Sequence, residues 1–203
     1  MRKSAEGGFR RAMNEYGMMF EQGEGVPKDI AQAKAWFRKA SASEGDAAYN
    51  LGRLQLAETP PDISGAVAHF QRGAMLDSPK AMHNLAVAYV KGAPGLAKSL
   101  DKALMWFERA GDEEAMFHMH QIHSKNSSAT QEAERWLHRA AEAGHARACR
   151  KLAMRASQMT PDNKTPNKEA MRWIRKAAIS GDQASQRFLQ RHAQEQPGGR
   201  SEL

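Results

Sequence analysis

The chain has 203 residues, of which 41% are apolar and only 7% aromatic, and alanine and methionine are common where valine and isoleucine are scarce; that balance favours helix over sheet. A single cysteine, Cys149, excludes an internal disulfide framework and a cysteine-rich metal site. The formal charge of +7 is local: residues 1–146 hold 18 Lys+Arg and 18 Asp+Glu, whereas 147–203 hold 12 and 5, an excess able to steer an acidic partner.

In chain order, residues 1–8 have no apolar segment behind the basic pair Arg2 and Lys3 and read as a flexible start. Helices are then predicted over 9–22 and 29–43, 46–57 and 62–75, 79–91 and 99–110, 113–124 and 129–142, 145–158 and 167–179, with a last one over 182–193. Asp29, Asp62, Ser99 and Asn167 are placed to cap helix starts. Gly45, Gly111, Gly144 and Gly181 follow second helices, where glycine can take the left-handed position that closes a helix. Residues 194–203 read as a disordered tail.

Two columns recur through this series. Ala12, Ala47, Ala81, Ala115, Ala148 and Ala184 stand 35, 34, 34, 33 and 36 residues apart. Each is followed four positions on by Tyr16, Leu51, Leu85, Met119, Leu152 or Phe188, and then by Gly17, Gly52, Ala86, His120, Ala153 or Leu189. About 20 residues later a second column repeats five times: Ala33-Trp36-Phe37-Ala40, Ala66-His69-Phe70-Gly73, Ala103-Trp106-Phe107-Ala110, Ala133-Trp136-Leu137-Ala140 and Ala170-Trp173-Ile174-Ala177. Small and large apolar residues at these spacings share one helical face, and a fixed period over five rows marks a repeat. The fold class is therefore all-α: five antiparallel helix pairs, over 9–45, 46–78, 79–111, 112–144 and 145–181, with 182–193 as a C-terminal cap.

At these columns, at the loop Gly23-x-Gly25-Val26 with Lys28 and Asp29, and at the Gly-Asp or Gly-His junctions, the chain resembles the Sel1-like repeat (SLR) family, relatives of the tetratricopeptide repeats. The resemblance spans residues 9–193. It implies a right-handed α-solenoid whose first helices line a concave face, and a non-catalytic role in binding another protein, as a bacterial adaptor or a toxin-neutralising immunity protein. His69 departs from the pattern where other rows have tryptophan. His120 departs where they have glycine or alanine, and a Ser-rich link replaces the Gly-Val loop in the fourth repeat.

No nucleophile elbow, phosphate-binding loop or His-Glu-x-x-His is present, so no catalytic residue and no cofactor is expected. His120 and His123 lie three apart within His118-x-His120-x-x-His123, but no carboxylate is fixed nearby to orient the rings, and no metal is assigned. Glu113 and Glu114 open a helix, where the dipole favours acids. Cys149 is read as a buried small apolar residue. Positions beside the packing stripe of the first helices are the expected partner-binding residues: Asn14, Met18, Tyr49, Asn50, Arg53, His83, Asn84, Val87, Phe117, His118, Gln121, Arg150, Lys151 and Met154. The expected partner is a protein with an acidic surface. The alternative is a nucleic acid or acidic ligand on the basic C-terminal third, which lacks interleaved aromatics. No run approaches the roughly 18–20 apolar residues of a membrane span. The chain is thus expected to be soluble, cytoplasmic as it stands and periplasmic or secreted if a leader has been removed; its oligomeric state is left open, with a monomer favoured.

Overall fold

The computed structural model describes residues 1–158 and 166–195, and every regular element among them is helical. They fall into two compact units, residues 1–111 and 112–203. The first holds α1 (Arg2–Glu6), α2 (Arg10–Gln22), α3 (Ile30–Ala40), α4 (Gly45–Leu56), α5 (Ile63–Met75), α6 (Pro79–Lys91) and α7 (Leu100–Ala110). The second holds α8 (Glu113–His123), a short 3-10 turn over Ser127–Ala129, α9 (Thr130–Glu142), α10 (Ala146–Gln158), α11 (Lys168–Ile179) and α12 (Gln183–Glu195). Consecutive helices pack in pairs, α2 on α3, α4 on α5, α6 on α7, α8 on α9 and α10 on α11.

All four expected N-caps are made. Asp29, Asp62, Ser99 and Asn167 accept from the backbone N–H groups of Gln32, Gly65, Lys102 and Ala170, each occupying one of the free donors of a helix start. Gly111, Gly144 and Gly181 have φ of 66°, 99° and 88°, the left-handed conformation expected after a helix. Gly45 differs. It is the first residue of α4, and a Cβ there would lie 2.8 Å from the Leu76 carbonyl oxygen and 2.9 Å from Ser78 Cβ. Its glycine is required by close approach, not by φ. The first eight residues also differ from a flexible start, since α1 forms and buries Ala5 completely. Residues 196–203 of the expected tail, and 159–165 in the last interhelical loop, lie outside the described residues.

The two columns meet in the core. Phe37 of α3 is fully buried and sits over Gly17 of α2, where an added Cβ would fall 2.7 Å from the ring. Gly52 and Phe70 repeat this fit at 2.8 Å. In the second unit Leu137, Cys149, Leu152 and Trp173 form one cluster with Phe117. Burying such a side chain contributes about 1.5–3 kcal/mol each. Trp136 and Trp173 are buried, while Trp36 and Trp106 are half-buried, so the column is repeat core. Cations three residues after the column's ring position fasten successive second helices: Arg72 donates to the Ser41 and Ala42 carbonyls at the end of α3, and Lys176 to the Glu142 carbonyl at the end of α9.

Candidate partner-binding face

The side chains expected to point away from the packing stripe divide into three sets. Asn14, Asn50 and Phe117 point inward, 8%, 8% and 7% exposed. Asn50 Nδ2 donates to Asn14 Oδ1 at 3.0 Å, an amide pair that lets both residues be buried between α2 and α4. Phe117 stacks on His145 with ring centroids 4.2 Å apart. A surface contact needs exposed atoms, and these three offer few. A second set is engaged within its own unit. Arg53 clamps the Glu21 carboxylate at 2.6 Å, Tyr49 lies against Phe70, His83 meets Phe107 edge-on, His118 is 3.8 Å from Glu114, and Arg150 donates to Asp182 at 3.1 Å. Lys151 Nζ donates to His120 Nε2 at 2.7 Å.

The third set lines grooves or stands free on the surface. Asn84 and Val87 border a groove of about 320 Å³ in the first unit, where the ends of α4 and α6 approach α5; Leu56, Ile63 and Lys91 complete its rim. Leu56 and Ile63 are 42% and 43% exposed. Met154, 60% exposed, borders a groove of about 360 Å³ in the second unit, lined also by Arg150 of the second set, Ile174 of α11 and Phe188 of α12. Met18 and Gln121 are also exposed. Sequence reasoning missed Leu56, Ile63 and Lys91 because they sit at helix ends, outside the two recurring columns. Their signal is a large apolar residue beyond the stripe, next to a turn.

His120 and His145 are held inside the second unit. His120 is 2% exposed, its Nδ1–H donates to the Ala133 carbonyl at 2.8 Å, and its Nε2 accepts from Lys151. Burial pushes its pKa below the ordinary value, and Lys151 and Arg155 act in the same direction. With both ring nitrogens engaged, it has no lone pair to offer a metal. His145 accepts from the Ala148 N–H through Nδ1, so its Nε2–H is the one that donates to Glu114. No group of three potential metal donors is found among the described residues. Cys149 is fully buried, its thiol raised by desolvation. Of the basic residues that supply the C-terminal excess, Arg155 pairs with Glu134, and Arg172 and Lys176 share Glu142. These three are paired within the second unit. No helix among the described residues is long and apolar enough to cross a membrane.

A family model described as Sel1 repeat matches residues 10–44, 45–78, 79–114, 124–145 and 146–182. The chain belongs to the Sel1 repeat family. Sel1 repeat proteins are protein-interaction scaffolds. The fourth match begins only at residue 124, past α8, the helix in which His120 replaces the small residue of the other rows. Among solved structures, this Sel1 repeat chain is similar to a Sel1 repeat protein from Oxalobacter formigenes, with a TM-score of 0.76 and 25% identity over 96% of this chain and 83% of the other. It is similar to c5321, a protective antigen of uropathogenic Escherichia coli with an SLR fold, at 0.73 and 26% over 91% of this chain. The chain spans 41% of that antigen's length. The immunity protein Pa5087 from Pseudomonas aeruginosa shares the fold at a TM-score of 0.59 and 18% identity, over 88% of this chain and 71% of the other. The α-solenoid class that the family resemblance implies is the class of these structures. A search of curated proteins finds no match.

Proposed function

We propose that this chain is a non-catalytic scaffold that holds a partner protein against the face its first helices present in each unit, as a bacterial adaptor or a toxin-neutralising immunity protein does. The observation that carries this reading is the pair of apolar grooves, each with exposed aliphatic or thioether groups at its rim and one cation beside them: Leu56, Ile63 and Lys91 in the first unit, Met154 and Arg150 in the second. Apolar side chains inside a polar rim are the usual composition of an interface centre. Lys91 has no ion-pair partner among the described residues, which suits an acidic group on the partner. The two forms differ in stoichiometry: an immunity protein saturates with one tightly bound partner, an adaptor with several weaker ones.

The test is affinity purification from the native cell with the parent chain and with Val87→Asp and Met154→Asp, followed by quantitative mass spectrometry. One or more proteins held by the parent and lost from both variants, with helix content unchanged, is the expected outcome. Equal recovery by all three chains would remove the first-helix face from consideration.

A further inference from the structure

The second-helix column carries a fixed pair of groups: a ring and, three positions later, a cation. Lys39 Nζ lies 4.4 Å from the Trp36 ring centre, the Arg109 guanidinium 5.5 Å from Trp106, that of Arg139 4.4 Å from Trp136, and Lys176 Nζ 5.9 Å from Trp173. Residues three apart share a helix face, and a cation over an indole is attracted by the ring's quadrupole. In α5 the cation is kept and the indole is missing. Arg72 stands in its usual place, but His69 replaces tryptophan, and an open depression of about 560 Å³ lies there, bounded by Ala42, Ala68, His69, Gln71, Arg72, Met75 and Leu76. That volume falls in the range of about 300–1,000 Å³ typical of sites that take a small group.

Three further observations define the depression. Arg72 is fixed: Nε donates to the Ser41 carbonyl at 2.7 Å and Nη2 to that of Ala42 at 3.0 Å, so the guanidinium edge is used and its flat face is left for stacking. Met75 is 73% exposed at the rim and offers a polarizable thioether, a favourable neighbour for an aromatic ring. The place also corresponds to that of an indole elsewhere in the fold. Trp173 meets His138 of the preceding second helix edge-on at 6.1 Å. The counterpart of His138 for His69 is Arg38, five residues after Ala33 as His138 is after Ala133, and Arg38 acts electrostatically on the His69 ring. Burial, then Arg38 and Arg72, lowers the pKa of His69, so the ring adds no positive charge to that of Arg72 in the lining.

We propose that the His69 depression is a socket for an aromatic side chain of a partner protein, which enters from outside, lies against Met75 and stacks on Arg72 where the scaffold's own indole is absent. The occupant is a tryptophan or a ring of similar size, because Ala42, Ala68 and Leu76 are apolar, Gln71 is uncharged and the one charged lining residue is Arg72. The socket shares no lining residue with the first-helix groove of the same unit, so it adds a second point of contact to that reading and stands or falls separately.

The experiment uses the full chain with 13C-methyl-labelled methionine and N-acetyltryptophanamide as the probe. The expected result is a saturable shift of the Met75 methyl resonance, weakened about five-fold when N-acetylcyclohexylalaninamide, which has the bulk but no π face, replaces the probe. His69→Trp, which restores the missing ring, abolishes the shift while the Met154 methyl is unchanged. His69→Phe gives the same test if the larger ring unfolds the chain. Val87→Asp leaves the shift intact, so failure of the socket and failure of the first-helix face are told apart. A Met75 methyl unmoved at the probe's solubility limit, an equal response to the cyclohexyl compound, or an undiminished response in the ring-restoring variants would overturn the proposal.

Discussion

Gly17→Ala puts the interlocking of the two columns to the test. The new methyl would stand 2.7 and 2.8 Å from two carbons of the Phe37 ring, about 1 Å inside the comfortable carbon–carbon distance of about 3.5–4.0 Å. Phe37 is fully buried and has nowhere to retreat. Overpacking of this kind costs about 1–3 kcal/mol, while alanine gains about 1 kcal/mol over glycine inside a helix. The net expectation is a loss of up to about 2 kcal/mol. Phe37→Leu shortens the ring position and makes room, so in that background Gly17→Ala should be neutral or stabilising, a coupling of about 2 kcal/mol. Urea unfolding of the four chains, followed by circular dichroism and fitted for the first unit, measures the cycle. Strict additivity across the cycle would refute the contact.

Four other outcomes follow from named contacts. Asn50→Ala leaves the buried Asn14 amide unpaired and should cost about 1–3 kcal/mol, whereas replacing Asn14 and Asn50 together with leucine should recover much of the loss; chemical denaturation reads both. Asn167→Ala removes the α11 cap and its bond to the Ala156 carbonyl, for about 1 kcal/mol in the same assay. His120 has a folded pKa below its unfolded value of 6.5, so the unfolded chain takes up a proton first as the pH falls. Stability of the second unit is full above that value and declines below it, and thermal melts of His120→Gln should show a flatter dependence between neutral and acid pH. Cys149, buried and raised, should react with a thiol reagent only slowly in the native chain and rapidly in urea; equal rates would contradict its burial.

Much of the fold was legible because the repeats carry local marks: an apolar column in all five, a side-chain cap on the second helix in four and a left-handed closing glycine in three. Asp29, Asp62, Ser99 and Asn167 mark helix starts for a local chemical reason that no tertiary contact overrides. Gly45 was misread because sequence shows a glycine after a helix but not the Leu76 carbonyl pressing on it from the next repeat. The site was legible only in part. Asn14 and Asn50 are polar and lie beside the stripe, which argues for solvent, yet each satisfies the other in the interior. Such pairing joins residues one repeat apart, 36 in sequence, and nothing in either local pattern marks it as internal. The groove-lining Leu56, Ile63 and Lys91 were hidden for the opposite reason: they break the period, and a reading by columns discards whatever does not repeat. His69 was visible as a departure from the tryptophan column, but the depression beside it is a property of space, not of spacing.

The most direct measurement of the central claim is site-specific photo-crosslinking in the native cell, with benzoylphenylalanine placed one site at a time. Val87 and Met154 probe the two grooves, and Met105, 52% exposed on the second helix α7, probes a surface outside them. A discrete adduct with the same partner from Val87 and Met154, absent from Met105, is the predicted result. Adducts that appear at Met105 alone, or equally at all three positions, would contradict a binding role for the first-helix face.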